Sequence, residues 1–217
     1  MPKRFSSVLF FMGLASLTFG SALATGFPRH QQARSGLFDG SKWNSSSHGI
    51  PRKPLDSVGE SQLLGAPRIV VRKSERRLLL YSGDKLVRTY RVGLGLSPVG
   101  DKVREGDRRT PEGNFYIFTK NDKSSFYLSL GISYPNAAHA ERGLRDGLIS
   151  KSQYDTILAA LGARKAPPQN TKLGGDIYIH GNGSGSDWTW GCVALDNADI
   201  REIFNIVGVG TPVTIKP

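Results

Sequence analysis

The chain has 217 residues, 38% hydrophobic and 22% charged, a balance that fits a soluble globular protein with room for one ordinary domain and extra segments. Its single cysteine excludes an internal disulfide. The formal charge of +11 attracts polyanions in general, but no zinc-finger spacing, nucleic-acid motif or basic helix accompanies it, so a nucleic-acid partner is not expected.

In chain order, residues 1–24 read as an export signal. Lys3 and Arg4 give a positive start, Val8 to Phe19 form an apolar run, and Ala22-Leu23-Ala24 is a small-x-small cleavage site. The run is shorter than the roughly 20 residues that span a bilayer, so cleavage after Ala24 is expected rather than anchoring. Residues 25–67 are poor in aliphatic side chains and rich in Ser, Gly, Pro and basic residues, the composition of a flexible linker. His30 and His48 fall in it and read as solvated side chains.

The character changes at Arg68, and residues 68–217 read as the folded domain. RIVVRK and RRLLLYSG are short β-rich runs, and KLVRTYRVGLG follows after Gly83-Asp84, a turn pair that suits a hairpin. GNFYIFTK, DIYIH and TPVTIK are three more strands. Two helices interrupt them. One starts at Ser150, whose pairing with Gln153 is a capping box, and puts Tyr154, Ile157, Leu158 and Leu161 on one face. The other starts at Asp196-Asn197, carries Ile200, Ile203, Phe204 and Val207, and stops at Gly208. The expected fold is mainly β and sandwich-like, with a few short helices.

The stretch IHGNGSGSDWTWGCVAL, Ile179 to Leu195, holds the only cysteine. In an exported protein an unpaired thiol calls for an account, either as a small buried hydrophobe or as a nucleophile. His180 ends the strand DIYIH, and the glycine-rich loop Gly181 to Gly191 returns the chain to Cys192, bringing an imidazole within hydrogen-bond reach of the thiol. Gly191 clears space for an incoming carbonyl, and N–H groups around Trp190, Gly191 and Cys192 are candidates to hold an oxyanion.

This stretch resembles the active-site motif of the L,D-transpeptidase catalytic domain, the YkuD-type family: His-Gly, a loop, then Ser/Thr-x-Gly-Cys-Val/Ile, filled here by His180-Gly181 and Thr189-Trp190-Gly191-Cys192-Val193. Upstream, Thr110-Pro111-Glu112-Gly113-Asn114-Phe115 resembles the family's Thr-Pro-x-Gly-x-Phe/Tyr segment, and ISYPN, Ile132 to Asn136, a feature of one branch. The resemblance implies a β sandwich-like cysteine enzyme acting on peptidoglycan stem peptides in the periplasm or cell wall, without a cofactor. It implies Cys192 as nucleophile, His180 as base, Gly181 orienting the imidazole through its carbonyl, and the backbone at Gly191 and Cys192 as oxyanion hole. An amine of another stem, an envelope protein, or water would resolve the thioester. The alternatives are a thiol hydrolase that trims stem peptides or cuts protein–peptidoglycan links, and a non-catalytic wall-binding module.

Two departures stand out. Many members have His before the Gly-Cys and Arg two residues after the Cys; here those places hold Trp190 and Ala194. The loop from His180 to Cys192 is also short for the family. The missing Arg removes a bidentate clamp for a substrate carboxylate. Arg108, Arg109, Arg142 and Arg145 are candidates to replace it, with Arg109, Thr189, Trp188 and Trp190 read as substrate-binding. Of the two tryptophans, one is expected to pack the loop and the other to line the groove. His139 reads as an exposed loop histidine, and no metal site is expected, because its spacing with His180 and Cys192 matches no zinc pattern.

Overall fold

The structure is a computed structural model that describes residues 65–217. The signal and nearly all of the linker expected from the sequence therefore lie outside the described residues. The first strand, β1, runs Pro67–Arg72, followed by β2 Arg77–Ser82, β3 Lys85–Arg91, β4 Gly113–Ser124, β5 Tyr127–Ile132, β6 Tyr178–His180, β7 Val193–Ala194 and β8 Pro212–Lys216. Three helices accompany them: α1 Ala137–Arg145, α2 Lys151–Gly162 and α3 Asn197–Ile206. The fold is mainly β, as the sequence implies.

The β1–β2–β3 meander is antiparallel, with Val70 opposite Leu79 and Leu79 opposite Thr89. Its second turn uses Gly83 at φ +57°, a left-handed conformation that costs a glycine nothing. The last strand, β8, inserts parallel to β1 and antiparallel to β4, so the sheet order is β3-β2-β1-β8-β4-β5-β6-β7. The sheet then curls until its two ends meet. Just past β3, Gly93 exchanges both backbone hydrogen bonds with Ala194 of β7, at 2.9 and 2.8 Å. One core fills the interior, including Ile69, Leu80, Ile117, Leu130, Ile179 and Val193, each at most 1% exposed. Their inward positions recur at every second residue along the strands, as the pleat requires.

The α2 helix begins where expected, with both capping-box bonds between Ser150 and Gln153 made. The α3 helix buries Ile200 and Ile203 against the core. The α1 helix corrects the reading of His139 as a loop residue. Asn136 caps it by accepting the His139 N–H, and the face it buries consists of His139, Ala140 and Gly143. A helix that buries small and polar residues has no aliphatic stripe for periodicity to detect. With it goes the reading of His139 as exposed: the side chain is 2% exposed and packs edge-on to Tyr134.

Candidate active site

The site forms where β6 and β7 run parallel at the edge of the sheet. Their register pairs Ile179 with Val193 and His180 with Ala194. Cys192 therefore stands level with Tyr178. Alternate residues of paired strands share a face, so His180 and Cys192 lie on the same side, diagonally across the pair, while Ile179 and Val193 point into the core.

His180 is buried at the end of β6, with Nδ1 2.8 Å from the Gly181 carbonyl oxygen. A carbonyl only accepts, so Nδ1 carries the proton and Nε2 is the free lone pair. Gly181 thus orients the imidazole through its carbonyl. It also must be a glycine: a Cβ there would stand 2.5 Å from Asn197 Oδ1 and 2.8 Å from the Phe126 carbonyl. Phe126 lies against one side of the ring at 4.6 Å between centroids, and Trp188 meets it edge-on at 5.6 Å. Burial holds the imidazole pKa below its ordinary value, so His180 is neutral at neutral pH.

Cys192 Sγ accepts the Tyr178 N–H at 3.4 Å and donates to the Asp176 carbonyl at 3.5 Å. Burial pushes the thiol pKa up to about 11; the Tyr178 N–H opposes this, the Asp176 carboxylate adds to it, and the Lys102 ammonium opposes it. The resting sulfur is a protonated thiol that donates its hydrogen bond to a backbone carbonyl. The direct thiol–imidazole hydrogen bond expected from the loop length is not among these contacts.

The turn before Cys192 is fixed from within. Thr189 Oγ1 donates to the Cys192 carbonyl at 2.8 Å and accepts the Gly191 N–H at 3.1 Å. Thr189 is 3% exposed, so its contacts shape the Cys192 peptide, which places it under the turn and not, as its substrate-binding reading has it, on an open surface. Thr110, from the Thr-Pro-Glu-Gly segment, adds a second hydroxyl to the same carbonyl at 3.5 Å. Gly191 has φ +131°, and a Cβ there would stand 2.8 Å from the Arg109 carbonyl. With the Gly191 N–H committed to Thr189, the Cys192 N–H is the better oxyanion donor of the two. The intervening loop is pinned as well: Asp187 takes Arg76 at 3.0 and 2.8 Å and the Leu94 N–H at 2.9 Å.

The two tryptophans differ in their surroundings. Trp188 packs on His180 and donates Nε1–H to the Gly183 carbonyl at 3.1 Å, while Trp190 is 69% exposed. Of the arginines, Arg142 pairs with Asp101 at 2.9 Å, and Arg145 pairs with Asp146. Arg109 is half-buried, with Nη1 3.4 Å from the Asp101 carbonyl. The Arg108 guanidinium lies 5.0 Å from the centre of the Trp190 ring.

Several contributors carry no signal in residue type. The Tyr178 N–H is backbone, and Phe126 belongs to a hairpin between β4 and β5. Lys73, 2% exposed, reaches the carbonyls of Gly100 and Thr110 and the Glu112 carboxylate at 2.6, 2.9 and 2.8 Å. It ties the end of β1 to the segment that supports Cys192. Among the described residues no group of three or more His, Cys, Asp or Glu is placed to hold a metal ion.

The curled β sheet sets Cys192 and His180 on one face, with the histidine oriented by the glycine that follows it. Residues 66–215 match the YkuD family model, the L,D-transpeptidase catalytic domain, and the chain belongs to that family. YafK of Escherichia coli (strain K12) is 28% identical over 162 residues, which cover 71% of this chain and 52% of that protein. The chain thus spans about half the length of the curated relatives it matches. Among solved structures, the helical cell shape determining protein Pgp2 from Campylobacter jejuni is 22% identical with a TM-score of 0.46, over 70% of this chain and 47% of that one. An L,D-transpeptidase from Xylanimonas cellulosilytica is 16% identical with a TM-score of 0.43, over 70% and 61%.

Proposed function

We propose that this chain is a periplasmic or cell-wall L,D-transpeptidase that acts on peptidoglycan stem peptides through a thioester on Cys192. The observation that carries the reading is the placement of Cys192 and His180 on one face, with Gly181 fixing the imidazole so that Nε2 is its basic atom. When substrate enters, the thiol proton passes to Nε2 as the sulfur attacks the scissile carbonyl carbon. The carbonyl π pair moves onto oxygen, where the Cys192 N–H receives it. Collapse re-forms the carbonyl and breaks the C–N bond, and the imidazolium returns its proton to the leaving amine. An amine from another stem, or from an envelope protein, then displaces the sulfur and forms a new amide.

A second reading, hydrolysis by water at the same thioester, has its own observation. Ala194 stands where many members carry an arginine, so the usual recognition of the substrate carboxylate is altered. The test is incubation with peptidoglycan sacculi and mass analysis of the released muropeptides. New amide crosslinks or exchanged terminal residues are expected for transfer, and shortened or detached stems for hydrolysis. Cys192→Ser abolishes either product. Turnover by the Cys192→Ser protein overturns the thioester, and no turnover by the wild-type protein leaves a wall-binding module.

A further inference from the structure

We infer that Arg108, set over the Trp190 ring, receives a carboxylate of the stem peptide, a task for which Ala194 offers no side chain; the inference rests on the stem-peptide reading above. The backbone of Arg108 and Arg109 packs directly beneath the nucleophile's turn. A Cβ on Gly95 would stand 2.1 Å from the Arg108 carbonyl, and one on Gly191 would stand 2.8 Å from the Arg109 carbonyl. The Arg108 carbonyl also accepts the Ser97 N–H at 3.1 Å, which fixes the segment. Arg108 itself is held at φ +57°, a left-handed conformation uncommon for a residue with a side chain. Such strain persists where the surroundings over-determine it and is common at ligand clamps.

The side chain is placed by an aromatic face rather than by a carboxylate. Its guanidinium lies over the exposed Trp190 ring at 5.0 Å, and Trp190 is two residues before Cys192. A guanidinium stacked on a ring keeps its N–H edge free for a bidentate carboxylate. The neighbouring charges leave it free. Asp107 is taken up by Lys102 Nζ at 2.8 Å and by the N–H groups of Val103, Arg104 and Arg109. Among the described residues, no protein acceptor hydrogen-bonds the Arg108 guanidinium. The other candidates are engaged or turned away: Arg142 with Asp101, Arg145 with Asp146, and Arg109 toward the Asp101 carbonyl.

The test compares a stem tetrapeptide whose terminal carboxylate is free with the same peptide amidated. Binding is measured by calorimetry on the Cys192→Ala protein, which binds without turnover, and kcat/KM is measured on the active protein. A charged hydrogen bond of the usual strength corresponds to a preference of roughly 10- to 150-fold for the free acid. Arg108→Asn, which suits the left-handed backbone, brings that ratio close to one. Arg108→Lys restores part of it, because a lysine keeps the charge without the flat fork. Arg145→Ala leaves the ratio unchanged. A ratio retained in Arg108→Asn overturns the clamp, as does equal binding of both peptides by the Cys192→Ala protein. Preferential binding that Arg108→Asn erases, together with no turnover by the active protein, overturns the catalytic reading and leaves the clamp standing.

Discussion

At the scale of single residues, the site rests in a neutral state. The Cys192 thiol is pushed up to about 11 by burial, and burial holds His180 below its ordinary value. Neither charge exists at neutral pH, so in the proposed mechanism the proton transfer belongs to the reaction and not to the resting state. This separates two roles that are often joined. Because Sγ is bonded to Tyr178 and Asp176, His180→Ala leaves the midpoint of iodoacetamide labelling against pH within about half a unit of wild type. The same change slows acylation by roughly the 10²–10⁴-fold typical of a general base. A labelling midpoint that moves strongly on losing the imidazole means that the two groups are paired at rest. The raised thiol also bears on stability. The folded state favours the protonated form, so this contribution is full below the thiol's ordinary pKa and is lost as pH climbs through about 11.

At the scale of elements, the α1 helix acts on the site through one carboxylate. Asp101 receives His139 Nε2 at 3.0 Å, Arg142 at 2.9 Å and the Glu112 N–H at 2.8 Å. Burial works to raise its carboxyl, and the His139 bond, the Glu112 N–H and Arg142 outweigh burial and hold it to about 2. This joins α1 to the Thr-Pro-Glu-Gly segment, whose Thr110 hydroxyl steadies the Cys192 carbonyl. Asp101→Asn is expected to cost about 1–3 kcal/mol, the range for a hydrogen-bonded polar group left poorly matched. The pH dependence fixes the cause. Asp101 is depressed in the fold, so its contribution is present above the usual carboxylate pKa and disappears as pH falls toward 2. The gap in unfolding free energy between wild type and Asp101→Asn therefore narrows over that acid range in urea titrations. A gap that stays constant assigns the loss to packing alone. This network is also where the sequence is least legible. Alternating strands and the Ser150 capping box are local patterns, and the His-Gly and Gly-Cys motifs lie within one short stretch, so both are readable residue by residue. The α1 helix buries no aliphatic stripe, Lys73 gains its meaning only from segments far along the chain, and the Tyr178 donor is backbone that every residue possesses.

At the scale of the whole molecule, Cys192 sits where the sheet closes on itself. β7 is two residues long, and what holds it on its outer side is the pair of hydrogen bonds between Gly93 and Ala194, followed by the Leu94–Thr189 and Leu96–Thr189 bonds. The other strands are longer, although Val193 of β7 shares the buried core with them. Segments with short ladders open at lower free energy than the body they belong to. The closing join of the curled sheet is therefore expected to act as a fuse: if it parts before the rest melts, the strand that carries Cys192 is held on one side only, by β6. On slow warming, acylation is expected to fall several degrees below the midpoint of the circular-dichroism transition, and to return on cooling while the core is still intact. Amide exchange at Gly93, Thr189 and Ala194 should outpace that at Ile69 and Leu80 by about tenfold or more, a difference in opening free energy near 1.4 kcal/mol. Equal exchange rates at those two groups of amides mean that the join and the core open as one unit. In that case heat removes catalysis only by unfolding the protein.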